Sequence, residues 1–452
     1  MRKLALLEAG WREPDEVLAG FAEEPFALAL LSGGGGPRGR WSYLARAPLS
    51  TLTIRPQDEA DAFAEMAALL GPALPTDPEG PPFQGGLAGL MAYELGARLE
   101  EAGHGGHPDW PQLVCGFYAD LLAFDHKARR VIAVGRGESD EEALARAREA
   151  LGLMSGPSAP APIAGEPLSD AFDALTPGSA YEHAVAEVVR RIGEGEIFQA
   201  NAARAWGGRL RRDATPLDLA RRLTATSPAP FGAYFRLPGQ AVVSNSPERF
   251  VRVEARQGLQ VETRPIKGTR PRGASPEQDE ALRQELLTCE KDRAENLMIV
   301  DLMRNDLARV CPPGTVEVSE LFKIETFTNV HHLVSTVTGR LADGLKGLDL
   351  LEAAFPPGSI TGAPKVQAIK VIADYEGPRG PYCGSMFWAG VDGAADSSVL
   401  IRTVALTRDA EGWRYEARAG AGIVADSDPV LERLETEAKI DAIRRALLGA
   451  KA

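Results

Sequence analysis

The chain is poor in the features that mark several large protein classes. No apolar run approaches the ~20 residues that a membrane-spanning helix needs, and the opening MRKLALLEAGWREPDE turns acidic too early for a secretory leader. Only four cysteines occur in 452 residues, Cys115, Cys289, Cys311 and Cys383, and no two form a CxxC pair. That scarcity excludes a disulfide framework and fits a reducing compartment, so a cytoplasmic location is expected. No His/Cys cluster is present to hold zinc. Basic residues are in deficit: 50 Lys plus Arg stand against 63 Asp plus Glu, a formal charge of −13. An acidic chain is not built around nucleic acid or an anionic membrane, although a local basic pocket for a small anion is compatible with it. No GxGxxG runs from a strand into a helix, and no Walker A sequence occurs, so neither a Rossmann domain nor a P-loop is expected.

What is present reads as a soluble globular protein, with 44% apolar and 25% charged residues. The Pro/Ala/Ser-rich stretch SGPSAPAPIAGEP predicts a linker over 155–175, between an N-terminal α+β domain (1–154) and a C-terminal domain (176–452). In the first part, FQGGLAGLMAYELG (83–96) has small residues at close spacing, suited to backbone packed on backbone. In the second, SAYEHAVAEVVRRIGEGE predicts a helix capped by Ser179 and Glu182. One long helix is expected from about Pro276 to Val310, and another from the Ser427-Asp428-Pro429 start to the C-terminus. Strand-like runs include AVVSN, CGSMFWAGV, SVLIRTVAL and WRYEARAGAGIV. Strands and helices mixed without a βαβ rhythm indicate an α+β fold.

Chemistry concentrates in a few stretches. ETRPIKGTRPRG places Lys267 at a strand-to-glycine turn, with Arg252, Arg264, Arg270 and Arg272 around it. Crowding by like charge lowers an ammonium pKa and would leave the amine free to act as a nucleophile; a solvated basic loop is the plainer reading. EKDRAENLMIVDLMRND sets Asp292 and Glu295 on one helix face, in a helix that reads as buried on most sides. LERLETEAKIDAI does the same for Glu432, Glu435 and Lys439. Carboxylates from two helices, with waters and a ligand oxygen, would suit Mg2+. The small-residue loops PPGSITGAPK and AGAGIVADSDP offer N–H groups to an anion. Arg402 in an apolar strand needs a partner, either a substrate carboxylate or a structural acid. His332 lies in the apolar run NVHHLVSTV, and Glu248 follows a proline in SNSPERF, at a strand end where loops often deliver catalytic groups.

These stretches, in the order SPERF, PIKGT, KDRAENLMIVDLMRND, VHHLVS, GSITGAPK, YCGS, IRTV, GAGIVADSDP and a final ExxExxxK, resemble the chorismate-utilising enzymes over residues 176–447. FQGGLAGLMAYELG extends the resemblance, more weakly, over the rest. The resemblance implies a large two-layered β-sandwich-like core with helices packed outside, and a chorismate substrate. Within the family, anthranilate-forming members usually carry Ala at the PIxGT position and members forming 4-amino-4-deoxychorismate carry Lys, as here, so the second branch is expected and the first is the alternative. By resemblance, Lys267 attacks C2 of chorismate, Glu248 protonates the departing C4 hydroxyl and His332 lines the ring. Glu295 and Glu435 hold Mg2+, with Glu432 and Asp292 nearby. Thr361, Gly362, Ala363, Gly420, Ala421 and Gly422 receive substrate carboxylates, Arg402 grips the enolpyruvyl carboxylate and Lys439 balances the acids. Gln199 stands where water-using relatives place a lysine base, and Trp388 where many have Tyr; both are expected to contact the substrate. NAARAW, with Arg204 and Ala205, lacks the usual Gln-Arg pair. The chain contains no glutaminase motif, so ammonia is expected from a separate glutamine amidotransferase subunit. Ser32, RWSY and Pro230-Phe231-Gly232 match an N-terminal pocket that holds tryptophan in some relatives; LLSGGGGP lacks the acid-serine feedback pattern, which implies a structural pocket.

Overall fold

The computed structural model describes residues 1–33, 39–103, 105–156, 165–327 and 330–449. Two antiparallel sheets face each other, one of twelve strands and one of ten. Side chains alternate across the strands, so each sheet has an inner and an outer apolar face. Tyr43, Leu121, Val134 and Phe235 of the first sheet meet Leu90, Val114, Met386 and Trp388 of the second between the layers. On the outer face of the first sheet, Leu44, Phe124, Trp206 and Tyr415 pack under Leu219 and Ile440 from the helices Pro216–Thr226 and Pro429–Leu448. On the outer face of the second sheet, Val251, Val337 and Phe387 pack under Met66, Ile299, Met303 and Leu351 from three helices. The α+β expectation and the helix-covered sandwich are both met. Among the described residues, no helix is long and apolar enough to cross a membrane.

The division at 155–175 does not separate two cores. Strand Leu28–Leu31 pairs with Phe231–Leu237, and Gly86–Met91 pairs with Ser385–Gly390, so both sheets draw strands from both halves of the chain. Residues 157–164 of the expected linker lie outside the described residues, as do 34–37 of LLSGGGGP. The glycine-rich segment does pack backbone on backbone. A Cβ on Gly89 would fall 2.2 Å from the carbonyl oxygen of Val114, and one on Gly86 the same distance from that of Ala389.

Three local expectations are corrected. The helix expected over 276–310 is two helices, Pro276–Thr288 and Glu290–Ala308, separated by Cys289 with extended backbone (φ −65°, ψ 109°). The helix Gly178–Gly193 begins one residue before Ser179, with Pro177 at its cap position and no side-chain cap bond. The run SVLIRTVAL is two strands in different sheets: Ala395–Val399 belongs to the second and Thr403–Asp409 to the first. Leu400–Arg402 is the crossover between them, and Arg402 has a left-handed φ of +51°.

The helix Glu290–Ala308 is tied down at its far end by a buried ion pair. Lys365, opening the helix Lys365–Ala373, places its ammonium 2.8 Å from Asp306 and 2.9 Å from the carbonyl of Ala354. Burial pushes the Asp306 carboxyl up to about 6, against the attraction of Lys365. Replacing Lys365 by Met strands a buried carboxylate, and a loss of about 3 kcal/mol is expected. A denaturant-unfolding midpoint equal to that of the parent would refute this.

Candidate active site

Lys267 owes its position to a β-bulge. In strand Ile266–Pro271, Ile266 lies opposite Val334 and Thr269 opposite His332, so one extra residue is inserted at Lys267–Gly268. Gly268 takes φ +82°, which a side chain would strain, and a Cβ there would meet Asp292 and Leu286 at 2.9 and 2.8 Å. The bulge turns Lys267 toward the strand Gly412–Ile423, and its amine lies 3.0 Å from where a Cβ on Gly422 would stand. Burial lowers the Lys267 pKa below the ordinary lysine value. Glu295, Glu248 and Glu435 oppose that shift, and Lys439 adds to it. The arginines expected to depress it do not: each has its own acid. Arg252 pairs with Glu254, Arg264 with Glu325, Arg270 with Glu285 at 2.8 Å and Arg272 with Asp279 at 2.8 Å.

Glu248 is buried just past strand Gln240–Ser246. Its N–H donates to Ser246 Oγ (3.2 Å) and its carbonyl accepts from Val399 N–H (3.1 Å), fixing the backbone. Burial pushes its carboxyl up to about 7, against a hydrogen bond from Ser359 and the charge of Lys267. A carboxyl poised there can give up a proton near neutrality.

The helical acids converge as the sequence implies, with one exception. Glu295 comes from Glu290–Ala308, and Glu432 and Glu435 come from Pro429–Leu448. The Lys291 ammonium sits 4.0 Å from Glu295 and 3.9 Å from Glu432, a cation between acids of two helices. Ser427 Oγ donates to Glu432 (2.7 Å). Lys439 is 2.7 Å from Glu435 and donates to the Gly420 carbonyl (2.9 Å). Burial raises the Glu295 pKa, with Lys267 and Lys291 opposing. Burial also pushes Glu435 up, but Lys439, Lys267 and Lys291 outweigh it and hold Glu435 below the ordinary value. Asp292 is the exception, turned to the Arg270 guanidinium at 3.1 Å and so a neighbour of Glu295 and not a further donor. The helix is also less enclosed than its apolar residues imply, since Leu297 is exposed. Among the described residues, no three His, Cys, Asp or Glu side chains enclose a metal ion. Two helices presenting carboxylates around a cation, with the remaining directions open, is nonetheless a donor set that fits Mg2+, which binds one or two carboxylates and keeps waters.

The floor of the site is the strand pair Gln199–Arg209 and Gly412–Ile423, with Asn201 opposite Gly422 and Ala203 opposite Gly420. The neighbouring strand stops pairing at Val404 opposite Ala417, so the far edge of Gly420, Ala421 and Gly422 faces no strand. Arg402 sits at that break. Its guanidinium is half-buried, has no acidic partner among the described residues, and has a pKa lowered by burial. Gly362 and Ala363 pair with Ala200 and Gln199, and Thr361 is fully buried, bonded to the carbonyls of Pro357 (3.2 Å) and Gly358 (3.3 Å). His332 Nδ1 is 2.9 Å from Thr269 Oγ1, two residues from Lys267. Arg204 is engaged by Glu437 at 2.9 Å and by the Trp206 ring.

Trp388 is elsewhere. It stacks on Phe83 at 5.0 Å and lines a cavity of about 360 Å³ between the sheets, with Ser32, Trp41, Pro230, Phe231 and Gly232. Phe387, its neighbour, faces the opposite way, into the core that holds Ala203 and Tyr382. Two further residues of the site, Tyr382 and Asn201, are not singled out by the sequence. The Tyr382 hydroxyl lies 3.0 Å, and Asn201 Oδ1 2.7 Å, from where a Cβ on Gly420 would stand. YCGS carried the signal for the first; Asn201 had none.

A family model described as chorismate binding enzyme matches residues 31–445. The aminodeoxychorismate synthase component 1 of Salmonella typhimurium is 38% identical over 441 residues, covering 94% of this chain and 93% of the relative. Anthranilate synthase component 1 of Streptomyces coelicolor is also 38% identical, over 95% of this chain and 85% of its own length. The crystal structure of anthranilate synthase component I from Streptococcus pneumoniae superposes with a TM-score of 0.79 at 28% identity, covering 91% of this chain and 93% of that one. The chain belongs to the chorismate-binding enzymes, and the site around Lys267 lies in a chorismate-utilising enzyme.

Proposed function

We propose that the protein aminates chorismate to 4-amino-4-deoxychorismate, as component I of an aminodeoxychorismate synthase. Overall identity does not choose between the two aminating branches, at 38% to a member of each. The reading is carried by one observation: a half-buried lysine amine with a lowered pKa, beside a carboxyl poised near 7. An alanine at position 267 would leave ammonia as the only nucleophile for that carboxyl to serve, the direct route of the alternative branch.

In this reading Lys267, neutral, adds to C2 of chorismate as the C4 hydroxyl takes the Glu248 proton and leaves as water. The proton lost by the lysine nitrogen restores Glu248. Ammonia then bonds at C4, the bond from C2 to the lysine breaks, and a proton released by the incoming nitrogen passes to the lysine. Arg402 meets the enolpyruvyl carboxylate, and the open edge of Gly420–Gly422 with Gly362 and Ala363 receives carboxylate oxygens. Glu295 and Glu435, with Glu432, would hold Mg2+, which supplies a positive anchor for the ring carboxylate. Lys291 and Lys439 balance these acids when no metal is bound. The ammonia comes from a separate glutamine amidotransferase subunit, the partner that a component I implies, and p-aminobenzoate and folate supply are the purpose.

Three outcomes are expected. Incubation with chorismate, ammonium and Mg2+ gives aminodeoxychorismate by chromatography; anthranilate as the sole product would reject the reading. Intact-mass analysis after chorismate without ammonia shows an adduct that Lys267→Ala lacks. The chorismate-consumption rate falls as pH rises through about 7, because the acid is lost as Glu248 deprotonates. Glu248→Gln should remove that limb and slow turnover by roughly 10²–10⁴-fold. A flat profile in the parent would remove Glu248 from the acid role.

A further inference from the structure

One ion pair beside the site stands in for a strand. Strand Gln199–Arg209 pairs along one edge with Gly412–Ile423; its other edge meets Gly362–Ala363 at one end and Asp173–Ala174 at the other. Between these two, among the described residues, no strand lies alongside it. Arg379 and Glu376, from the irregular segment between the helix Lys365–Ala373 and the strand Ser385–Gly390, fill the gap with side chains. Arg379 donates to the Asn201 carbonyl (2.6 Å), and Glu376 accepts from the Ala203 N–H (2.6 Å). The tie is to backbone only, and the side-chain Oδ1 of Asn201 has no partner among the described residues.

The same guanidinium reaches the substrate cradle. It donates to the Ile360 carbonyl (3.2 Å), in the turn that leads into Thr361, Gly362 and Ala363, and bonds twice to Glu376, at 3.0 Å each. Tyr382, whose hydroxyl lies beside Gly420, follows three residues on, with its N–H on the Arg379 carbonyl (3.3 Å). The first half of the chain closes the arrangement. The Tyr93 ring lies 4.6 Å from the guanidinium, and the buried Glu94 carboxylate accepts the N–H groups of Arg379 and Gly380. The Arg379 side chain is fully enclosed and that of Glu376 is 8% exposed. An enclosed ion pair adds little stability over apolar residues of the same volume, so stability alone does not account for this one. What it supplies is geometry: a planar fork with fixed donor directions, set between three segments.

Chorismate carries two carboxylates whose separation its ring confines to a narrow range. On the reading above they meet the N–H groups of Gly362 and Ala363 and the open edge of Gly420–Gly422, and the inference rests on that reading. The first of these segments follows Ile360. The second is paired with strand Gln199–Arg209, Gly420 opposite Ala203 and Gly422 opposite Asn201. We infer that Arg379, braced by Glu376, is a positioning residue that sets the distance between the two cradles to the span of a dicarboxylate. Its donors are engaged by backbone and by Glu376, so it acts through the segments that receive the substrate. The carboxylates keep their charge throughout the reaction. The contribution is therefore equal in the ground state and the transition state, and it shows in KM and not in kcat.

The test compares the full chain with its Arg379→Lys variant, supplied with chorismate, ammonium chloride and Mg2+, by following chorismate consumption. A lysine keeps the charge opposite Glu376, but one ammonium cannot span Glu376, Asn201 and Ile360. KM for chorismate should rise about tenfold, the equivalent of one lost hydrogen bond. The kcat should stay within about threefold and KM for ammonium within about twofold. A purely structural role gives the opposite pattern: a smaller folded fraction lowers the apparent kcat and leaves KM as it was. An unchanged chorismate KM, a kcat loss larger than the rise in KM, or an ammonium KM that rises in step would overturn the assignment. If Arg379→Lys fails to fold, the double variant Arg379→Gln with Glu376→Gln, which leaves no member of the pair charged and alone, is read in the same way. Failure of both to fold would also overturn it. Chorismate consumption is followed whichever product forms. A parent that yields only anthranilate therefore rejects the proposed function, while the KM ratio still decides the role of Arg379.

Discussion

The site depends on keeping a lysine amine half-buried among carboxylates without letting any of them hold it as a salt bridge. Lys267 is pulled in two directions: burial and Lys439 lower its pKa, while Glu295, Glu248 and Glu435 raise it. Burial wins because other cations take up the acids. Lys439 lies against Glu435, Lys291 between Glu295 and Glu432, and Arg270 against Asp292. Each of these pairs is a modest interaction on its own, and their joint effect is to leave the central amine without an ion-pair acid of its own among the described residues. The other arginines near Lys267 in sequence, Arg252, Arg264 and Arg272, are each matched to an acid beyond the site.

The scaffold that makes this possible is the pair of shared sheets. The sandwich brings strand Ile266–Pro271 from one layer against Gly412–Ile423 from the other, and the acid-bearing helices close the gap from outside. Because each layer joins a block of strands from the first half of the chain to a block from the second, neither half has a complete core. The Leu400–Arg402 crossover is the covalent seam of this arrangement. It places a guanidinium, with no acid beside it among the described residues, where one sheet's edge opens.

The legible parts of the sequence were those where chemistry and spacing coincide. Glu248 after its proline, the Glu295 and Glu432/Glu435 helix faces and the Asp428-Pro429 helix start are where their patterns place them, whereas the glycine turn expected after Lys267 is a bulge inside strand Ile266–Pro271. What failed had no local signal in the sequence. CGSMFWAGV and SVLIRTVAL are apolar on both faces, so alternation carries no sign of which side is which: Trp388, expected at the substrate, lines the cavity between the sheets, and a run that reads as one strand holds the Leu400–Arg402 crossover. The break at Cys289 has no Pro or Gly to announce it. The arginine pairs link residues up to 61 positions apart, and no local pattern encodes them. Asn201 is ordinary in sequence and becomes conspicuous only when its oxygen is found without a partner.

The bulge at Lys267–Gly268 has a consequence for how reaction type is distributed over this fold. The inserted residue is accommodated by the left-handed turn at Gly268, so the strand's register does not depend on which side chain stands at 267. Whatever is placed there is delivered to the same point above Gly422, while sheets, acids and cradle remain as they are. On the proposed reading, one position exchanges a covalent route for a direct one with no structural renegotiation elsewhere, a separation of scaffold from chemistry achieved within two residues.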